Sequence, residues 1–276
     1  MKVVQINTTC GVGSTGKICV AISKLLTAQN IENYILYTSG ESDYPLGIKF
    51  ADASYKKIQA LKSRVFGNYG FNSNCATRRL LRELKRIQPD IIHIHNIHGH
   101  DCNLSTLFRY IRQNDLKVVW TFHDCWSFTA SCPHFTMVGC DKWKTGCEKC
   151  PQIRQTSWFV DRSKSLYQRK KLLFENLNLT IITPSKWLAE LVKKSFFKQY
   201  PIKVINNGID LSVFKPTESD FRSKYGISDE KYILLGVAFG WGERKGLDVF
   251  IELAQRLDRS YQIILVGTDA IVDKKL

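Results

Sequence analysis

Short β-branched and aromatic runs alternate with amphipathic stretches along nearly the whole chain, and this rhythm narrows its folding options most. Strands are predicted at residues 2–6, 34–37, 91–95, 118–122, 180–182, 203–205, 232–237 and 262–266. Helices are predicted at 17–29, 54–66, 77–87, 104–113, 163–175, 185–195 and 246–257. The strand runs are apolar almost without interruption, as strands buried on both faces must be. Strand–helix alternation of this kind builds a parallel sheet with helices on either side, an α/β fold. In open sheets of that class, ligands bind beyond the carboxyl ends of the strands, so the polar and glycine-rich turns there are the first places to look.

A length of 276 residues leaves room for two domains. The boundary is predicted at Asn206-Asn207-Gly208-Ile209-Asp210 through Pro216, where a strand ends and the strand–helix rhythm restarts. Residues 1–209 form the first domain, with a cysteine-rich loop at 125–150, and residues 210–276 the second. The second is short for a doubly wound domain and reads as incomplete, with the strand YQIILVG left at a sheet edge. The N-terminus lacks the charged-then-apolar order of a signal peptide, and no window approaches the ~18 apolar residues of a spanning helix. These features predict a cytoplasmic protein whose nine cysteines are reduced or metal-bound rather than paired. The formal charge of +15 is concentrated in residues 56–86 and 162–203. Arg78, Arg79, Arg82, Lys85 and Arg86 share one helical stretch, with Glu83 the only acid among them. Such a surface attracts phosphate, whether on nucleic acid, anionic lipid or a diphosphate-linked substrate. The plainer alternative is a solvated helix face.

Residues 118–151 carry the densest chemistry. A β-branched and aromatic run ends in His123-Asp124, and both are expected to face a cleft. The alternative for His123 is a strand-end residue making a local hydrogen bond. Five cysteines and His134 follow. Cys147 and Cys150 form a CxxC knuckle, and with Cys132 and Cys140 upstream they can make a tetrahedral structural zinc site, with Cys125 or His134 able to replace one ligand. The competing reading is a set of reduced thiols packed among Trp126, Phe135 and Trp143.

Further motifs sit on other strand ends. Gly11-Val12-Gly13-Ser14-Thr15-Gly16-Lys17 opens the first helix and offers backbone N–H groups to a phosphate. It nearly spells a P-loop, but Ile18 stands where Ser or Thr would hold magnesium, which favours a diphosphate-binding or substrate-facing loop over an NTPase. The run IIHIHNIHGHD puts His93 and His95 on one strand face. His93 reads as a core histidine, while His95, Asn96 and His98 suit hydrogen bonding to a polyhydroxylated ligand, because imidazole and amide groups both donate and accept. Arg244 and Lys245, on a turn before the helix at 246–257, suit a pyrophosphate leaving group.

In this order the motifs resemble glycosyltransferase family 4, closest to the branch concerned with colanic-acid, exopolysaccharide and lipopolysaccharide synthesis. The likeness runs through GVGSTGK, PDIIHIHNIHGH, TFHDCWSFTASC, GCDKWKTGCEKCP, TPSKWLAELVKKS, NNGID and GVAFGWGERKGLD. It implies a GT-B fold, two Rossmann-like domains around a cleft, and a retaining hexosyltransferase that uses a nucleotide-sugar without an obligatory metal. Gly13, Ser14, Thr15 and Gly16 would approach the donor phosphates, His123 would contact the transferred sugar, and Lys245 with Arg244 would neutralise the diphosphate. His95, Asn96, His98 and Asp124 would serve a saccharide or lipid-diphosphate-linked acceptor, reached by peripheral contact with the anionic inner face of the membrane. Gly240 stands five residues before Lys245, where many relatives carry arginine, with Arg244 or Trp241 to compensate. The family's paired-glutamate segment would lie beyond Leu276. Two other classes compete: a magnesium-dependent P-loop NTPase, and a non-catalytic zinc and nucleic-acid module whose affinity falls steeply with salt. The transferase reading expects no nucleic-acid partner.

Overall fold

The computed structural model describes residues 1–274. The chain divides into two compact units, Met1–Gly208 and Ile209–Leu276. Seven strands make one sheet in the first: β1 (Lys2–Ile6), β2 (Glu32–Tyr37), β3 (Gly47–Lys49), β4 (Ile91–Ile94), β5 (Lys117–Thr121), β6 (Leu179–Thr183) and β7 (Ile202–Val204). Their order is β3-β2-β1-β4-β5-β6-β7, and every pairing is parallel. The winding direction reverses between β1 and β4. Connections there leave toward opposite faces and open a crevice at the carboxyl ends of the strands.

Helices α1 (Gly13–Ala28), α2 (Ala53–Phe66), α3 (Asn74–Ile87), α4 (Leu104–Gln113), α5 (Ser163–Leu173) and α6 (Lys186–Lys193) connect these strands. Helix α3 follows its sequence period closely: Ala76, Thr77, Leu80, Leu84 and Ile87 are buried, while its five cations stay in solvent. Gln88 closes it at positive φ and Pro89 follows. Helix α2 is inverted. It buries Gln59 and Ser63 and exposes Ile58, Leu61 and Phe66. Trp120 of β5, 1% exposed, stacks with Phe108 and meets Phe122, Phe174 and Phe197 edge-on. The cysteine-rich loop has no strand and no helix beyond single 3-10 turns, yet its Trp126, Phe128, Phe135 and Trp143 are buried in the same core.

Strand β3 and the start of α1 depart from the sequence expectation. The three residues of β3 have no apolar run of their own and form a strand only by pairing with Ile35, Leu36 and Tyr37. Helix α1 begins at Gly13 rather than residue 17, because the glycine loop itself winds into the first turn despite glycine's low helix propensity. The second unit holds α7 (Phe221–Lys224), β8 (Tyr232–Val237), α8 (Leu247–Arg256), β9 (Tyr261–Val266) and α9 (Ala270–Asp273), with β8 and β9 paired in parallel. Gly236 in β8 leaves no room for a side chain unless its neighbours shift. A Cβ there would lie 2.7 Å from Trp241 and 2.8 Å from both Leu265 and Phe250.

Candidate active site

Three loops meet at the switch point, following β1, β4 and β5. The first leaves β1 through Asn7 and turns into α1, with Gly11 and Gly13 at φ of +71° and +67°, where other side chains are strained. At Gly16 a Cβ would stand 2.7 Å from Thr9 Oγ1. The Gly11 N–H donates to the Gly16 carbonyl at 3.1 Å and closes the loop on itself. Val12 occupies the N-cap of α1, and its side chain caps nothing. The N–H groups of the first turn therefore face outward without a side-chain cap, backed by the positive end of the helix, as an anion-binding surface requires. Buried Asn7 ties this loop to the next. Its Nδ2 donates to the Thr9 carbonyl at 2.8 Å, and its Oδ1 accepts the Asn96 N–H at 3.1 Å.

A hydrogen-bonded line runs from the sheet interior to His123. Gln5 Nε2 donates to the Cys19 carbonyl at 2.9 Å, so Gln5 Oε1 faces the other way, 3.1 Å from His95 Nε2. That oxygen can only accept, so His95 carries its proton on Nε2 and leaves Nδ1 bare. His95 Nδ1 lies 3.1 Å from His123 Nε2, which must donate. Neutral His123 then holds Nδ1 as a free acceptor. The tautomers are assigned by this network rather than by hydrogen positions. The His95 and His123 rings stack with centroids 5.4 Å apart. Trp120 Nε1 donates to the His95 carbonyl at 3.0 Å and fixes the strand end.

Burial keeps these imidazoles neutral. It holds His93 down at about 4, and His95 falls well below its ordinary value for the same reason, reinforced by His93 and His123. His123 is also lowered by burial; Asp124 opposes this and His98 adds to it. Asp124 sits beside it, its Oδ2 2.8 Å from His98 Nε2 and its Oδ1 accepting the Trp126 N–H at 2.9 Å. Burial pushes that carboxyl up, but the hydrogen bond and charge of His98 and the Trp126 N–H outweigh it, so Asp124 stays below the usual carboxylate range.

The profile of glycosyltransferase family 4 matches residues 16–213. The chain belongs to glycosyltransferase family 4. An Escherichia coli K12 protein named for colanic acid biosynthesis, the glycosyl transferase WcaC, is 28% identical over 235 residues, covering 77% of this chain and 55% of that protein. Sucrose-phosphate synthase from Thermosynechococcus elongatus superposes with a TM-score of 0.64 at 12% identity, over 98% of this chain and 63% of that one. The Anabaena protein HepE, solved with UDP-glucose, gives 0.59 at 13% identity, over 99% and 63%. At these identities the structures speak for the fold alone, which is of the GT-B type. The chain thus spans little more than half the length of WcaC.

In this family 4 chain, the expected residues His95, Asn96, His98, His123 and Asp124 lie on the loops after β4 and β5, and Gly13 to Gly16 form the first turn of α1, after the loop that follows β1. Asn96 is engaged there through its backbone, taking a hydrogen bond from Thr8 at its carbonyl. His93 pairs with Thr121 Oγ1 at 2.8 Å, as expected of a core histidine. Arg244 and Lys245 belong to the second unit, in the 3-10 turn Glu243–Lys245 before α8. Cys132, Cys140, Cys147 and Cys150 line one cavity, but among the described residues no group of three or more His, Cys, Asp or Glu is arranged to hold a metal ion. The sequence pass missed Gln5 and Asn7, which sit in or beside an apolar run, and the role of Asp101. Asp101 is buried and accepts from Lys56 Nζ at 2.6 Å, from Thr8 at 2.7 Å, from Thr38 and from the Gly99 N–H at 2.9 Å. It binds the loops after β1, β2 and β4 together. A lone aspartate beside four histidines was the only local signal, and its lysine partner lies 45 residues away.

Proposed function

We propose that the protein transfers a hexose from a nucleotide-sugar to a saccharide or lipid-diphosphate-linked acceptor during cell-surface polysaccharide synthesis, with retention at the anomeric carbon. The observation that carries this reading is the donor-to-acceptor line Gln5–His95–His123, which leaves His123 Nδ1 free to accept a sugar hydroxyl, while the uncapped α1 N–H groups suit phosphate. The Asp124–His98 pair supplies a second set of polar atoms for hydroxyls. Lys245 and Arg244 would meet the departing diphosphate, supplying charge stabilisation without an obligatory metal. WcaC's name supports the pathway class and HepE's UDP-glucose the donor class.

The acceptor side finds support on α2. Its exposed Ile58, Leu61 and Phe66 adjoin exposed Trp158 and Phe159, because Trp158 N–H donates to the Arg64 carbonyl at 2.7 Å. Lys57, Lys62, Arg64 and Arg162, in the same segments, are exposed as well. Exposed apolar side chains together with cations suit an anionic membrane surface, where a lipid-linked acceptor resides. Among the described residues no helix is long and apolar enough to cross a membrane.

A radiolabelled sugar-transfer assay tests the reading. Lys245→Ala should lower turnover by about 10²–10³-fold, the usual loss for one preorganised electrostatic group. His123→Ala should also cut turnover with the fold intact by circular dichroism, and Lys17→Ala should do far less. Loss of activity in Lys17→Ala with none in Lys245→Ala would instead establish a P-loop enzyme.

A further inference from the structure

The cysteine-rich loop holds its shape by means that sugar transfer does not explain. Between Cys125 and Arg162 the backbone makes only four single 3-10 turns, yet it keeps Trp126, Phe128, Phe135 and Trp143 buried. Its centre is a cavity of about 20 Å³ lined by Cys132, Cys140, Cys147 and Cys150, with Phe135 and Trp143 in the wall. That volume admits one water- or ion-sized body. Ser131, Lys142, Glu148 and Gln152 also line the cavity. No disulfide joins the four, which are all free thiols. All four line the same cavity, one shared space rather than two separate couples.

A second observation comes from α5. Lys170 is 0% exposed, its Nζ donates to the carbonyls of Trp126 at 2.7 Å and Thr129 at 3.2 Å, and it lies 3.3 Å from the centroid of the Trp126 ring. Among the described residues no carboxylate is in ion-pair reach of it; burial pushes its pKa well down, and Cys147, Asp124 and Cys132 only partly oppose that. Asp124 is committed to His98 and the Trp126 N–H. A buried ammonium is costly unless an anion stands near. A divalent cation held by four thiolates carries two net negative charges, and such a centre would supply that anion beside Lys170.

We propose that Cys132, Cys140, Cys147 and Cys150 bind one zinc ion as four thiolates, a structural centre that fastens the loop over the sheet. Four sulfur ligands in a tetrahedron select zinc among common divalent ions. The thiols are not gathered as a metal cage in this conformation, so binding requires their side chains to turn inward across the cavity. Binding exchanges four thiol protons for one zinc ion, with no electron transferred. The proposal stands apart from the transferase reading, since none of its readouts is an activity.

Elemental analysis of protein purified without added metal should find about one zinc per chain, and Cys75→Ser, at an exposed thiol elsewhere, should keep it. The double variant Cys147→Ser, Cys150→Ser should carry none. Cobalt replacing the zinc should show the intense visible bands and sulfur charge-transfer absorption of a tetrahedral thiolate site. Should the double variant fail to fold, alkylation of the native protein decides: Cys75 should react at once, and the four loop thiols only after chelation strips the metal. Metal-free native protein, iron with labile sulfide in place of zinc, zinc retained by a folded double variant, or loop thiols equally reactive with and without chelator would each overturn the proposal.

Discussion

Strands β1 and β8 are alike in local sequence and unlike in fate. Each is a short apolar parallel strand feeding a glycine-bearing turn and then a helix. In β1, Val3, Val4, Gln5 and Ile6 are all buried. In β8 only Gly236 is, while Leu235 is 60% and Val237 70% exposed. Apolar pattern therefore decides that a segment becomes a strand, and the number of neighbouring layers decides how much that strand is worth. β1 lies between β2 and β4 in a seven-stranded sheet covered by helices, whereas the second unit has two paired strands, with Leu247 and Val272 its only buried apolar side chains among the described residues. A two-stranded sheet is marginal by itself.

The largest test of that contrast is native-state hydrogen exchange. Amides of β1, β4 and β5 should exchange only through global opening, and those of β8 and β9 through local opening, slower in the first set by several orders of magnitude. Equal protection in both units would break the comparison. Next in size are paired truncations followed by denaturant unfolding. Trp120→Ala removes the centre of an aromatic cluster and should cost about 3–5 kcal/mol. Phe239→Ala, at a fully exposed residue, should stay within about 0.5 kcal/mol. A large loss from the second substitution would mean that the β8–β9 unit depends on apolar contacts at that position.

The smallest test uses pH. All six histidines lie in the first unit. His93 titrates at about 4 when folded, and the unfolded residue near its ordinary value of about 6.5. Between those values the unfolded chain binds more protons than the folded one, so stability rises with pH across the window and is lost as pH falls through it. Burial lowers His95 and His123 too, and both add to the slope. Exchange rates measured at pH 6.5 and again near 4.5, corrected for intrinsic chemistry, should show the first unit losing protection and the second much less affected. Parallel loss in both would assign the slope to carboxylates instead.

Much of the candidate site was legible because its residues end predictable strands. Alternation placed His93 and His95 on one face, and their ring centroids are 4.1 Å apart. Strand-end reasoning put His123 and Asp124 at the ligand edge, where β5 delivers them. Gln5 was not legible: it occupies an inward position in an apolar run and is completely buried. Only the approach of β4 shows that its amide orients a histidine 90 residues away. Lys56 opens the basic segment 56–86, yet the inverted packing of α2 brings it onto buried Asp101.

Periodicity, turn residues and caps act within a few residues, so the sequence by itself determined the α/β class, the histidine-lined strand ends and, among the described residues, seven of nine α-helices and eight of nine strands. Strand order, the reversal between β1 and β4, the three-residue β3 and the proton positions on His95 and His123 were decided only by tertiary structure. Each depends on which distant segment lies alongside, and the free energy that selects the neighbour comes from burial and hydrogen bonding between segments, which no local pattern records.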